Sequence, residues 1–129
     1  MNKETLRKKK ILVIDDSEVN NILVKSIFME KDQFDILVEA DSNNAWKTIQ
    51  HEKPDLILLD LMMPGVDGIT ILKNIRMYHE TRHIPVVVIS AKSESSESDS
   101  LKKLSIVKYI QKPYDLNFIH ALAEQILGK

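Results

Sequence analysis

The chain has 129 residues, 43% hydrophobic and 29% charged, which is ordinary for one globular domain and excludes a disordered composition. Eighteen basic residues against nineteen acidic ones leave a net charge of −1, so no overall field favours nucleic acid or an anionic membrane. The absence of cysteine excludes disulfides and thiol chemistry and agrees with a reducing, cytoplasmic location. The longest apolar runs are four residues, whereas a membrane span needs about 20.

The segment 1–9 is polar and basic, and we predict that it forms a tail ahead of a single domain spanning residues 10–129. Its basic residues are not interleaved with aromatic ones, so the pattern is weak support for a nucleic-acid or membrane contact. A solvated tail is the favoured interpretation, and neither a direct nucleic-acid partner nor a membrane is expected.

Short apolar runs alternate with segments of helical period along the rest of the chain. The runs predict five β-strands, at Ile11–Ile14, Ile36–Val38, Leu56–Leu59, Val86–Ile89 and Tyr109-Ile110. Helices are predicted near 18–28, 43–50, 69–76, 97–104 and 116–127. The first has Ser17 as its capping residue and an apolar stripe made of Val19, Ile22, Leu23, Ile27 and Phe28.

Strands that are apolar throughout are typical of a parallel sheet covered by helices on both faces. Five such strands predict an open, doubly wound α/β sheet, because an eight-stranded barrel needs at least about 200 residues. Ligands of such sheets bind outside the carboxyl ends of the strands. The residues that follow each strand are therefore the candidates for function.

Polar side chains that can carry chemistry follow four of the five strands: Asp15 and Asp16, Asp60, Ser90, and Lys112. Each alone has an ordinary explanation as a helix cap, a turn residue or a surface group. Together, three carboxylates repel one another unless a cation joins them, and Mg²⁺ prefers such oxygen ligands. Lys112 and Ser90 suit phosphate oxygens, which leaves one carboxylate as the nucleophile of an aspartyl-phosphate, and Asp60, at the end of the central strand, is best placed for that role. The pattern therefore predicts phosphoryl acceptance.

The sequence resembles the receiver domains of two-component response regulators. The resemblance covers about residues 10–127 and rests on the segments Ile11–Asp16, Pro54–Gly68, Val86–Ala91 and Tyr109–Asp115, and on the spacing between their polar residues. It implies a flavodoxin-like (βα)5 fold with strand order 2-1-3-4-5. It also implies a signalling module rather than a turnover enzyme.

The resemblance further implies a role for each site residue. Asp60 accepts a phosphoryl group from a sensor histidine kinase or a histidine phosphotransfer protein. Mg²⁺, or Mn²⁺ in its place, is held by Asp15, Asp16, Asp60 and the backbone carbonyl of Met62. The phosphoryl group is contacted by Ser90 and Lys112, the Lys112-Pro113 bond is cis, and Ser90 and Tyr109 form the switch.

The family also tunes the lifetime of the phosphoryl group at two positions, occupied here by Met62 and Lys92. Because an apolar Met62 cannot orient an attacking water, we expect a long-lived phosphoryl group. Many relatives have Gly-Ala before the fifth strand where this chain has Ser105-Ile106, so a turn of different shape is expected. The output face implied by the family comprises helix 4, strand 5 and helix 5. It would signal to another protein or domain, with phosphorylation-driven homodimerisation as one outcome.

Two other functions compete with this interpretation. A small phosphatase with an aspartyl nucleophile would need a second aspartate at position 62, where this chain has methionine. A flavodoxin-like electron carrier would need an anion-accepting loop after the first strand, where Asp15-Asp16 would repel a flavin phosphate. The segment His79–His83 matches the H-E-x-x-H zinc motif, but Pro85 follows so closely that the second helical turn is not expected to form.

Overall fold

The structure is a computed structural model that describes residues 7–93 and 98–128. Its sheet is parallel throughout and has the order β2-β1-β3-β4-β5, which confirms the predicted doubly wound architecture. The strands are β1 (Lys10–Ile14), β2 (Asp35–Glu39), β3 (Leu56–Asp60), β4 (Val86–Ser90) and β5 (Lys108–Gln111). Each predicted strand is present and extends beyond the predicted limits by one or two residues.

Helices on both faces cover the sheet. They are α1 (Glu18–Lys31), α2 (Ala45–Glu52), α3 (Gly68–Met77), α4 (Ser98–Lys102) and α5 (Leu116–Leu127). Helix α2 begins two residues later than predicted, because residues 42–44 form a 3-10 turn capped by the Asp41 side chain. In the described part of the chain α4 ends at Lys102, because residues 103–105 form a turn. Of the prediction for this helix, Glu97 lies outside the described residues, as do residues 1–6 of the predicted tail.

Two apolar layers, one on each face of the sheet, form the core. Alternate residues of β1 point to opposite layers, with Leu12 and Ile14 in one and Ile11 and Val13 in the other. The central strand β3 is buried along its whole length. This explains why the strands are apolar throughout. None of the described helices is long and apolar enough to cross a membrane.

The predicted apolar stripe of α1 is wrong for three of its five residues. Val19, Ile22 and Leu23 are 69%, 58% and 47% exposed, whereas the buried face carries Asn21, Val24 and Phe28, of which only Phe28 belonged to the stripe. Asn21 can be buried because its Nδ2 donates a hydrogen bond of 2.7 Å to the backbone carbonyl of Asp15. Helix α1 therefore exposes apolar side chains next to the carboxyl edge of the sheet.

The amino edge of the sheet is held together by Arg76, near the end of α3. Its guanidinium donates hydrogen bonds of 2.7–3.2 Å to four backbone carbonyls that precede β4 and β5, those of Arg82, Ile84, Leu104 and Ser105. Ser105 has a φ of 52°, in the left-handed region that favours glycine. The turn before β5 therefore has a serine in a backbone conformation that favours glycine.

Candidate functional site

The parallel topology brings three carboxylates together at the carboxyl edge of the sheet. Asp60 is the last residue of β3, and Asp15 and Asp16 follow the neighbouring strand β1 directly. One oxygen atom of each carboxylate lies within 4.8 Å of the others. Asp15 and Asp60 are buried, whereas Asp16 is exposed at the mouth of the site. The sequence prediction that these three residues meet is therefore confirmed by the geometry.

Lys112 reaches this cluster from the end of β5. Its Nζ lies 3.0 Å from Asp15 Oδ2 and 3.1 Å from Asp60 Oδ2. Burial acts to lower the pKa of Lys112, but its bonds to the two carboxylates outweigh burial and raise that pKa. Lys112 is therefore a permanently charged ammonium at neutral pH.

The carboxyl group of Asp60 experiences opposing influences. Burial raises its pKa and is the largest influence, and the nearby charge of Asp15 acts in the same direction. The Met62 backbone amide, which donates to Asp60 Oδ1 at 2.9 Å, and the Lys112 ammonium both act to lower it. The net pKa stays above its ordinary value, since one lysine does not compensate for burial beside a second carboxylate.

The charge balance of the site fits a divalent cation. The Lys112 ammonium pairs with two of the three carboxylates, Asp15 and Asp60, so these four groups together carry an excess of negative charge. Every atom that the three side chains can offer to an ion is an oxygen, the ligand type that Mg²⁺ and Mn²⁺ prefer, whereas zinc favours nitrogen and sulfur. Within the described ranges, this trio is the group of acidic or histidine side chains spaced to hold a metal ion.

The ends of β4 and β5 complete the edge. Ser90 is fully buried, its backbone carbonyl accepts the Lys112 amide at 2.7 Å, and its Oγ accepts the Lys92 amide at 3.2 Å. The Tyr109 hydroxyl donates to the backbone carbonyl of Lys92 at 2.8 Å. The peptide bond between Lys112 and Pro113 is cis, as predicted. Both residues of the predicted switch, Ser90 and Tyr109, thus form hydrogen bonds with the backbone of Lys92 in the loop that follows β4.

Two polar residues that the sequence did not single out belong to the site. Asn20 Nδ2 donates to Asp15 Oδ2 at 2.9 Å, and Asn20 Oδ1 accepts the Tyr114 hydroxyl at 3.0 Å. Burial raises the pKa of Tyr114, the hydrogen bond to Asn20 opposing it, so the phenol keeps its proton at neutral pH. Asn20 lies outside the predicted apolar stripe of α1, so the hydrophobic pattern gave no signal for it.

The loop between β3 and α3 is fixed by a third unpredicted residue, Ser42. Its buried hydroxyl donates to the carbonyl of Pro64 and accepts the amide of Val66 at 2.9 Å. A Cβ on Gly65, whose φ is 93°, would lie 2.5 Å from that hydroxyl oxygen. Only glycine therefore fits both the backbone and the space at position 65, and the loop that carries Met62 is fixed at its far end.

The zinc-like motif does not form a metal site. Helix α3 ends at Met77, and His79–His83 lies in turns between α3 and β4. The two histidines thus do not share a helical face, as the nearby proline predicted. A cavity of about 410 Å³ beside this segment is lined by residues that include Trp46, Glu80 and His83, and it contains none of the three site carboxylates.

A doubly wound parallel sheet with an acidic, cation-attracting cluster and a lysine at its carboxyl edge defines the class of receiver domains. The family model described as response regulator receiver domain matches residues 11–124. The chain belongs to this family, whose members are phosphoacceptor signalling modules of two-component systems.

Individual relatives agree with this assignment. The alkaline phosphatase synthesis transcriptional regulatory protein PhoP of Bacillus subtilis is 33% identical over 121 residues, covering 94% of this chain and 49% of PhoP. Sporulation initiation phosphotransferase F of the same bacterium is 32% identical over 118 residues, covering 92% of this chain and 93% of that protein. The chain thus spans about half the length of the first relative and nearly all of the second.

A solved structure confirms the fold. The crystal structure of the phosphorylated cyanobacterial phytochrome response regulator RcpA superposes with a TM-score of 0.83 at 26% identity. The match covers 94% of this chain and 95% of that one. The (βα)5 fold with strand order 2-1-3-4-5 is therefore shared with this class.

Proposed function

We propose that this chain accepts a phosphoryl group on Asp60 in a reaction that depends on a divalent cation, and that the modification is transmitted to a partner. The observation that carries the proposal is the charge balance of the carboxyl edge, where three carboxylates lie together and the Lys112 ammonium pairs with two of them, Asp15 and Asp60. A nucleophilic carboxylate in such surroundings needs further positive charge before it can approach an anionic phosphoryl group.

The cation would be held by Asp15, Asp16 and Asp60, together with the backbone carbonyl of Met62. When bound, Mg²⁺ or Mn²⁺ supplies the charge neutralisation that this phosphoryl transfer needs. The proposed reaction forms a bond between an Asp60 oxygen and phosphorus while the bond from phosphorus to the donor histidine nitrogen breaks. That nitrogen keeps the electron pair and takes up a proton from water.

Lys112 and Ser90 would contact the transferred group. Lys112 bridges two carboxylates, and the flexible stem of a lysine would let its ammonium turn from them to a phosphoryl oxygen. The Ser90 hydroxyl lies at the end of the strand beside β3 and can donate to a second oxygen. These two side chains would position the phosphoryl group without entering covalent chemistry.

The hydrogen bonds of Ser90 and Tyr109 support the proposed switch. Ser90 Oγ bonds to the amide of Lys92, and the Tyr109 hydroxyl bonds to its carbonyl. A phosphoryl group that draws on the Ser90 hydroxyl would disturb the loop on which Tyr109 rests. The signal would thus reach the face formed by α4, β5 and α5, where we propose that an output protein or domain, or a second copy of the chain, binds.

The lifetime of the phosphoryl group is proposed to be long. Met62 is half exposed beside Asp60 and offers no side-chain donor or acceptor strong enough to orient an attacking water. The substitution Met62→Asn is expected to shorten the lifetime several-fold, as measured by the loss of the phosphoryl mass after the donor is removed. Met29→Asn, on the exposed side of α1, is the matched control, and an unchanged lifetime in Met62→Asn would contradict this role.

The exposed face of α1 fits a protein phosphodonor. Val19 and Leu23 line a groove of about 510 Å³ together with Lys112 and Tyr114, so apolar surface is continuous with the mouth of the site. We propose that a histidine kinase or phosphotransfer protein occupies this groove, and that it meets this chain in the cytoplasm.

Val19→Ser is expected to slow transfer from such a protein about tenfold and to leave labelling by acetyl phosphate unchanged. Met29→Ser serves as the control, and equal slowing with both donors would contradict the proposal.

One experiment separates this function from its competitors. The chain is incubated with Mg²⁺ and acetyl phosphate and its mass is measured. A stable gain of one phosphoryl group that is lost in Asp60→Ala supports the proposal. Steady release of phosphate from varied monoesters would instead support a phosphatase, and a bound yellow chromophore would support a flavin carrier.

A further inference from the structure

The hydrogen bonds around Asp15 extend beyond the acidic cluster into the segment that follows Lys112. Asn20 uses both ends of its side-chain amide, donating to Asp15 Oδ2 at 2.9 Å and accepting the Tyr114 hydroxyl at 3.0 Å. A carboxylate can only accept, so the amide nitrogen must face Asp15 and the amide oxygen must face Tyr114. Asn20 therefore connects a site carboxylate to the chain after β5 in one defined orientation.

The two oxygens of Asp15 have different sets of partners. Oδ1 accepts the backbone amide of Ser17 at 2.9 Å. Oδ2 accepts both Lys112 Nζ at 3.0 Å and Asn20 Nδ2 at 2.9 Å. If Lys112 turns to a phosphoryl oxygen, as proposed above, Asn20 is the side chain that continues to hold Oδ2.

We propose that Asn20 and Tyr114 are positioning residues that hold the Asp15 carboxylate in the orientation required by a divalent cation. The inference rests on the proposed function, because it concerns the same acidic cluster. Tyr114 acts through Asn20 rather than on the carboxylate itself, since its hydroxyl contacts the amide oxygen. It also lies two residues after Lys112, so the pair links helix α1 to the lysine segment.

The arrangement predicts a graded effect on cation affinity. Outer partners of metal ligands typically contribute about 10- to 100-fold to metal affinity. Asn20→Ala removes both hydrogen bonds and is expected to weaken binding about tenfold. Tyr114→Phe removes only the hydroxyl that orients the amide and is expected to weaken it about threefold. In the double variant the Tyr114→Phe effect should vanish, because the group through which it acts is gone.

The test is a titration of the unphosphorylated full chain with Mn²⁺, followed by the electron paramagnetic resonance signal of the free ion. The wild type is compared with Asn20→Ala, Tyr114→Phe and the double variant. Tyr78→Phe, a hydroxyl deletion beside Trp46 and away from the site, is the matched control. Circular dichroism checks that each variant is folded, and Asn20→Ser replaces Asn20→Ala if the latter does not fold.

The expected result is weaker Mn²⁺ binding in both single variants with no further loss in the double variant. Equal affinity in the wild type and Tyr114→Phe, or an additive loss in the double variant, would overturn the inference. A wild-type chain that binds no Mn²⁺ would overturn the proposed function as well. A wild type that binds Mn²⁺ as tightly as all its variants would overturn this inference alone.

Discussion

Two half-buried cations lie at opposite edges of the sheet, and their partners differ in kind. At the carboxyl edge, Lys112 lies between the carboxylates of Asp15 and Asp60, with Asp16 close by. At the amino edge, Arg76 donates only to neutral backbone carbonyls and forms no ion pair within the described residues. Burial lowers the pKa of Arg76 from its high ordinary value, which leaves the guanidinium charged at neutral pH.

The difference separates a structural site from a reactive one. The carbonyls around Arg76 are neutral and accept its hydrogen bonds, so this group of residues has no negative charge that would attract a cation. The carboxylates around Lys112 outnumber it, so the carboxyl edge remains electrostatically incomplete. A half-buried charge by itself therefore says little about function, whereas the balance of charge around it says much more.

The comparison is tested most strongly by removing each cation in turn. Lys112→Met is expected to slow labelling of the chain by acetyl phosphate and Mg²⁺ by about 100-fold, because a positioned charge on the phosphoryl group is lost. Arg76→Met, assayed at a temperature where it is fully folded, is expected to label at the wild-type rate. Labelling rates come from mass spectra taken over time, and equal slowing in both variants would remove the distinction.

The second test measures the stability of the Arg76 variants instead of their reactivity. Arg76→Met leaves four backbone carbonyls without their donor and is expected to lower the free energy of unfolding by about 2 kcal/mol. Arg76→Lys should recover only part of this loss, since an ammonium cannot reach all four carbonyls. Urea unfolding measures both changes. A stability equal to that of the wild type would show that the guanidinium is dispensable at the amino edge.

The smallest expected effect concerns Asp60, the last residue of β3, which is compared with Asp55, the residue directly before that strand. Burial raises the pKa of Asp60 in the fold above the unfolded value of 3.8, so folding favours its neutral form. The stability that the protonated Asp60 carboxyl contributes is fully present below the unfolded pKa. That stability is lost as the pH rises through the higher pKa of the folded state. In metal-free buffer, Asp60→Asn is therefore expected to raise the Tm by a few degrees at pH 7, with the gain disappearing below about pH 4.

Asp55, which directly precedes the same strand, provides the control for this experiment. Its carboxylate accepts the Lys10 backbone amide at 2.7 Å, so Asp55→Asn weakens a hydrogen bond without relieving charge repulsion. It is expected to lower the Tm or leave it unchanged at pH 7. Thermal unfolding followed by circular dichroism measures both variants, and a pH-independent gain in Asp60→Asn would contradict the assigned cause.

Much of the carboxyl edge was predictable because it depends on strand topology. Runs such as Leu56–Leu59 are apolar on both faces, which predicts a parallel sheet, and a parallel sheet places every strand end at one edge. Asp60, Ser90 and Lys112 could then be placed at that edge from their positions alone, and their roles in phosphoryl transfer remain predictions. The lifetime roles of Met62 and Lys92 and the division into 1–9 and 10–129 remain predictions.

What the sequence did not reveal depends on contacts between distant residues. The face that α1 buries is decided by Asn21, a polar residue whose amide meets a backbone carbonyl, and hydrophobic periodicity counts such a residue as exposed. Tyr114 and Asn20 are 94 positions apart, and nothing local to either indicates their hydrogen bond. The hydrogen bonds from Arg76 to four backbone carbonyls were equally unpredictable, because every residue has a backbone carbonyl and the sequence does not indicate which ones lie near Arg76.

The bonds of Arg76 to Leu104 and Ser105 also restrict how the proposed output face can move. These two carbonyls belong to the turn that follows α4, so the carboxyl end of that helix is tied to α3 and to the sheet. A helix held at its carboxyl end can tilt about that end more easily than it can shift along its axis. If a change in the loop after β4 moves α4, the displacement of its residues would therefore increase with their distance from Ser105.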